Sequence, residues 1–190
     1  MKSKLLLFLT ASAVLPCTDL LSGDWPQWRG PKRDDLSTES GLLKSWPGDG
    51  PKLVWMSNAA GLGYSGYAIV GDTLYTMGSR DAVEYVIAID VATGKEKWSA
   101  EAGPLLTNGW GDGPRSTPTV EGGKVYALSG KGHLGAYNAA DGKEIWKVTM
   151  DGLGGKVPGW GYTESVLVEG DLVICTPGGS QGAIAAFDKN

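Results

Sequence analysis

Two cysteines and one histidine among 190 residues leave little material for metal or thiol chemistry. His133 has no second histidine and no cysteine cluster at metal-ligand spacing, so it reads as a solvated residue of the turn Gly130-Lys131-Gly132-His133. Cys175 falls in the apolar run Leu172 to Thr176 and reads as a buried thiol. With Cys17 inside a leader, no intrachain disulfide remains to staple the fold. Positive charge is also short. Lys and Arg number 17 against 21 Asp and Glu, and the net charge of −4 excludes the basic face that nucleic acid requires. Beyond Leu15 no apolar run is long enough to span a bilayer. No Gly-x-Ser-x-Gly elbow, phosphate loop or nucleophile–base set can be read, so no catalytic and no metal-binding residue is assigned.

What the chain does contain is glycine, 30 residues of it spread along the length, as in an all-β protein with many tight turns. It also contains a repeat. Ala88-Ile89-Asp90-Val91-Ala92-Thr93-Gly94-Lys95-Glu96-Lys97-Trp98 recurs as Ala136-Tyr137-Asn138-Ala139-Ala140-Asp141-Gly142-Lys143-Glu144-Ile145-Trp146, and a third copy opens at Ala186-Phe187-Asp188-Lys189-Asn190. Asp90 and Asn138 stand 48 residues apart (138 − 90), Asn138 and Asp188 stand 50 apart (188 − 138). Periods of this length belong to propeller blades or helical arrays. Gly71-Asp72-Thr73-Leu74-Tyr75, Gly123-Lys124-Val125-Tyr126 and Gly170-Asp171-Leu172-Val173-Ile174 decide for strands, since each sets a turn before an apolar β-run.

The repeated unit reads as strand, tight turn, strand. An Asx side chain at a strand end accepts from backbone N–H groups two or three residues on, and Gly94 or Gly142 supplies the positive-φ position that closes the hairpin. The tryptophan follows on the outgoing strand, where one indole buries roughly 150–250 Å². Asp90, Gly94, Trp98, Asn138, Gly142, Trp146 and Asp188 are therefore structural repeat residues.

The pattern Ala-x-Asp-x-x-Thr-Gly-Lys-x-x-Trp, complete from Ala88 to Trp98, closely resembles the tryptophan-docking motif of PQQ-like, quinoprotein-type β-propellers, a family that includes quinoprotein alcohol dehydrogenases and BamB-like outer-membrane assembly lipoproteins. The resemblance covers roughly residues 51 to 190; the second copy departs at Asn138 and Asp141, both still suited to a turn. It implies a β-propeller of four-stranded antiparallel blades, here an incomplete piece of about three blades, at about 64–98, 115–146 and 163–190. The third copy stops before its Gly and Trp, so the sequence is expected to be an N-terminal fragment. Leu53-Val54-Trp55 matches the end of the motif and is expected to belong to a blade that closes the ring.

Residues 1 to about 23 read as an export signal, with Lys2 and Lys4 before the apolar run Leu5 to Leu15, which places the mature protein in the periplasm or outside the cell. Pro16 before Cys17 fits a lipobox poorly, so a lipid anchor there is not expected. Residues 24–50, dense in Trp, Pro and Gly, cannot form long regular elements and read as an arm that packs across the propeller. The opening Trp25-Pro26-Gln27-Trp28-Arg29-Gly30-Pro31 resembles that of secreted PQQ-like propeller proteins; a ligand-stacking role for Trp25 or Trp28 is the lesser reading.

In the motif's register Tyr64, Arg115 and Thr163 share one column, and Ser65, Ser116 and Glu164 the next, at the start of the first strand of each blade, which in propellers lies nearest the central channel. Trp110 to Pro118 and Gly159 to Ser165 feed those strands. Arg115, Glu164, Asp112 and Trp160 are the candidate ligand-binding residues of a channel mouth, Arg115 through its planar donor fork and the indole by stacking; the alternative is that Arg115 and Glu164 pair with each other across blades. Three functions stay open: an exported non-catalytic scaffold or binding module that presents loops to a protein or small ligand, a PQQ-dependent oxidoreductase, and a carbohydrate- or polymer-binding module. The second would bring PQQ with calcium, for which the family resemblance implies two adjacent cysteines, a calcium-ligand set and a catalytic Asp; none of these can be matched here. The scaffold is the expectation, with no cofactor.

Overall fold

The structure, a computed structural model, describes residues 23–190. The export-signal reading of residues 1–23 and the lipid-anchor question at Cys17 thus lie outside the described residues, Gly23 apart.

Among the described residues eleven strands form three antiparallel sheets. The first contains β1 (Tyr67–Val70), β2 (Thr73–Arg80), β3 (Val83–Asp90) and β4 (Glu96–Pro104); the second contains β5 (Thr119–Glu121), β6 (Lys124–Leu128), β7 (His133–Asn138) and β8 (Glu144–Thr149). The third pairs β9 (Leu167–Glu169), β10 (Leu172–Cys175) and β11 (Ala185–Asp188). Each sheet runs in chain order as a meander, the order of a propeller blade, and the three are consecutive blades of an incomplete β-propeller. Among the described residues the only helical element is the short 3₁₀ turn Asp151–Leu153, and no helix is long and apolar enough to cross a membrane.

Successive side chains of a strand point to opposite faces, so a blade between two others must be apolar on both. Strand β6 shows it: Val125 and Ala127 join the cluster shared with the first blade, around Tyr75, Met77, Val86 and Tyr137, while Tyr126 and Leu128 join the cluster shared with the third, around Val166, Val173 and Cys175. The core therefore lies between blades.

The repeat residues sit at one end of the blades, the turn end. Asp90 Oδ1 accepts from the Thr93 backbone N–H at 2.8 Å and the Thr93 hydroxyl at 2.6 Å. Asn138 Oδ1 accepts from Ala140 N, and Asp188 Oδ1 from Asn190 N, each at 2.8 Å. Both complete motifs share a register slip, between Ala88 and Ile89 and between Ala136 and Tyr137, a bulge that adds twist just before the turn. Gly94 and Gly142 adopt φ of 68° and 73°, and their missing side chains make room for tryptophan: a Cβ on Gly142 would stand 2.5 Å from the Trp98 ring, and one on Gly94 2.6 Å from the Trp55 ring. Each indole N–H then donates to the carbonyl one residue past the Asx, Trp55 to Val91 O at 2.7 Å and Trp98 to Ala139 O at 3.0 Å. Tyr75 adds its hydroxyl to Ala139 O at 3.2 Å, and Tyr126 repeats that bond to Lys189 O at 3.0 Å. Trp146 packs against Phe187 with ring centroids 6.2 Å apart; its buried N–H has no acceptor among the described residues.

The arm is bound to the first strand of every blade. Trp25 exchanges backbone bonds with Ile69 at 2.8 and 2.9 Å, Val120 N donates to Pro26 O at 2.8 Å, and Arg33 Nη2 donates to Val168 O at 2.9 Å. These contacts cover edges of β1, β5 and β9 that would otherwise present unpaired groups. Farther on, Leu42, Leu43, Trp46, Val54 and Met56 are exposed, Trp55 is half-buried against Gly94, and the exposed segment 61–64 is tied down by backbone bonds of Leu62 with Ser79 and of Tyr64 N to Pro114 O.

Candidate functional site

At the opposite end of the blades, the loop end, residues 105–118 connect the first blade to the second and residues 150–166 connect the second to the third. Their footing is Glu84. Its side chain is fully buried in β3, and its carboxylate accepts from Leu106 N (3.0 Å, Oε1) and Gly130 N (2.8 Å, Oε2), joining the first blade to the connecting loop and to the β6–β7 turn. Burial pushes its carboxyl up from the usual range, while the two backbone N–H bonds pull it back. Tyr162 N continues the line with a 2.9 Å bond to Gly130 O.

Arg115 braces the loop from within. Its guanidinium donates to Gly113 O and, at 2.7 Å, to Gly111 O, and its carbon lies 5.4 Å from the centre of the Tyr64 ring. The Tyr64 hydroxyl donates to Trp110 O at 3.1 Å. Asp112 Oδ1 accepts from Asn108 N at 2.9 Å, Asn108 Oδ1 accepts from Trp110 N at 2.9 Å, and the Asn108 amide reaches Gly159 O at 2.5 Å. One asparagine thus clips the two connecting loops together.

The four candidate ligand-binding residues are all placed at this end, but in different roles. Arg115 and Glu164 do not pair. Glu164 turns into its own blade, where it accepts from Thr176 N at 2.7 Å and the Thr176 hydroxyl at 2.6 Å, and Arg115 is held by its own loop's carbonyls, which are nearer in sequence and need no long reach. Asp112 serves the Asn108 turn. Trp160 alone is free, 62% exposed, and on the loop clipped to its own, Trp110 is 80% exposed. Trp28 is also exposed, over the arm, and Trp25 packs its ring on Gly30. His133 is only partly solvated: it opens β7 half-buried, with its ring against Gly103 of β4, and burial lowers its pKa. Cys175 is buried, and burial raises its thiol to about 11. Among the described residues no three His, Cys, Asp or Glu side chains gather as a metal site would need.

Glu84 is the residue that the sequence reading passed over. A signal was available, because Glu84 shares the period-2 phase of Val86 and Ala88, which face the core.

The family model of the outer membrane protein assembly factor BamB matches residues 82–190. Among solved structures, the quinohemoprotein alcohol dehydrogenase from Comamonas testosteroni superposes with a TM-score of 0.58 at 22% identity, over 87% of this chain and 25% of that one. A europium-containing methanol dehydrogenase superposes at 0.54 and 23% identity, over 73% of this chain and 25% of that one. BamB from Moraxella catarrhalis gives 0.47 and 16%, over 65% of this chain and 36% of that one. At such identities the likeness to the two dehydrogenases is one of fold, and the chain spans a quarter of their length. No curated protein matches the chain.

Proposed function

Since the chain belongs to the family of the outer membrane protein assembly factor BamB, we propose that it is an exported, non-catalytic propeller module that offers the loop end of its blades to a protein or small ligand. Export rests on the leader pattern of Lys2, Lys4 and Leu5 to Leu15. The observation that carries the reading is how the loop end spends its charges. Arg115 is committed to Gly111 O, Gly113 O and Tyr64, Glu164 to Thr176, and Glu84 to two backbone N–H groups. The indoles of Trp110 and Trp160 face solvent with no such commitment.

A quinone cofactor of the PQQ type is a tricarboxylate and calls for free cationic donors, with calcium held by carboxylate and amide oxygens. The described residues do not gather that set, because both guanidiniums of the loop end, Arg80 and Arg115, are bonded to protein groups and no three His, Cys, Asp or Glu side chains among the described residues meet to hold calcium. The test is reconstitution of the full-length protein with PQQ and calcium, followed by reduction of an artificial electron acceptor with primary alcohols or aldose sugars. No quinone-dependent dye reduction is expected. Robust reduction that needs both PQQ and calcium and disappears in Arg115→Ala would replace this reading with an oxidoreductase.

A further inference from the structure

Between the segment 61–64 and the turn 108–112 lies an open groove of about 520 Å³. Tyr64 lines it and Trp110 rises from the turn that forms its wall, 61% and 80% exposed. Trp160 stands on the neighbouring loop, one residue past the Gly159 carbonyl that holds the Asn108 amide, and lines a cleft of its own with Lys156, Tyr162 and Glu164.

Three features narrow what the groove takes. The exposed apolar groups, Leu62, Tyr64 and Trp110, are separate: glycines 61, 63, 109 and 111 and the polar Asn108 and Asp112 lie among them, so there is no continuous apolar face of the kind the core of a protein interface presents. The charges of this groove disfavour an anionic guest. Arg115 is bound to its own loop, and Asp112 repels anions while keeping one carboxylate oxygen without a protein partner among the described residues. Finally, the loops that carry the aromatic groups are held in place before any ligand arrives, by the Tyr64 bond to Trp110 O, the Asn108 clip and the Glu84 carboxylate on Leu106 N. Groups ordered in advance lose little freedom on binding.

An exposed indole two residues from a free hydrogen-bond acceptor, with a second exposed indole on the loop clipped to it, matches pyranose rings, which have an apolar C–H face and hydroxyl donors at the rim. We propose that the loop end binds a neutral polysaccharide chain, with Trp110 and Trp160 stacking on sugar rings and Asp112 accepting from sugar hydroxyls. This deepens the reading of the protein as a binding module and rests on it.

The experiment is titration calorimetry of the full chain with cellohexaose, maltohexaose and mannohexaose, alongside an oligogalacturonate of equal length and a leucine- and phenylalanine-rich peptide. At least one neutral hexasaccharide should bind saturably and more tightly than the galacturonate. Trp110→Ala and Trp160→Ala should each weaken it about tenfold, with melting temperatures unchanged because both indoles are exposed, and Asp112→Asn should weaken it less. No binding of any neutral hexasaccharide, affinities untouched by both tryptophan changes, or binding of the apolar peptide alone would each overturn the assignment. None of these outcomes depends on quinone chemistry, so the dye-reduction test judges the broader reading separately.

Discussion

At the turn end, Trp55 and Trp98 each lay an indole on the glycine of the next blade's hairpin and donate to the carbonyl one residue past its Asx. At the loop end, Glu84, Arg115 and Asn108 each make a contact that is not repeated among the described residues. The difference separates two tasks. A repeated contact between identical local geometries can hold any number of blades together, while unrepeated contacts individualise one face and leave its aromatic groups uncovered.

The sharpest way to break this contrast is to truncate an indole at each end. Trp98→Ala should cost about 3–5 kcal/mol in urea unfolding, as for other packed tryptophans, while Trp110→Ala should stay within about 0.5 kcal/mol, as for exposed sites. Equal effects would mean that stability is not concentrated at the turn end.

That contrast also explains what the sequence made legible. The all-β propeller, its blades and the Asp90–Gly94–Trp98 unit could be read because the unit is local and recurs as Asn138–Gly142–Trp146; eleven adjacent residues carry all the geometry of the turn. The loop end could be located but not interpreted. Whether Arg115 faces a ligand, Glu164 or the carbonyls of Gly111 and Gly113 depends on loop paths that no periodicity fixes. The arm's bonds to Ile69, Val120 and Val168 were unreadable for the same reason, being mostly backbone contacts with strand edges.

A smaller effect is expected at Glu84. Glu84→Gln keeps one acceptor and turns an amide N–H₂ toward the other backbone N–H, leaving it unsatisfied at a cost of about 1–3 kcal/mol. The two ends should also respond oppositely to acid. Burial raises the Glu84 carboxyl, so the folded state holds that proton more tightly than the unfolded chain; the stability it contributes is present below the ordinary carboxylate range and is lost as pH rises through the raised value. Bonds from the Thr93 hydroxyl and backbone N–H lower the Asp90 carboxyl, so its contribution is present above the ordinary carboxylate range and is lost as pH falls through the lowered value. Unfolding free energies across acidic pH should therefore lose a rising component in Asp90→Asn and a falling component in Glu84→Gln. Slopes that change in the same direction would contradict the assignment of the two environments.

The division of labour between the ends is tested most directly by hydrogen exchange at the indole N–H groups, followed by NMR on the full chain. Trp55 and Trp98, bonded to Val91 O and Ala139 O, should exchange only when blades part, at least about a hundredfold more slowly than Trp110 and Trp160, which should exchange as free indoles. Exchange of Trp98 as fast as that of Trp110 would contradict the account.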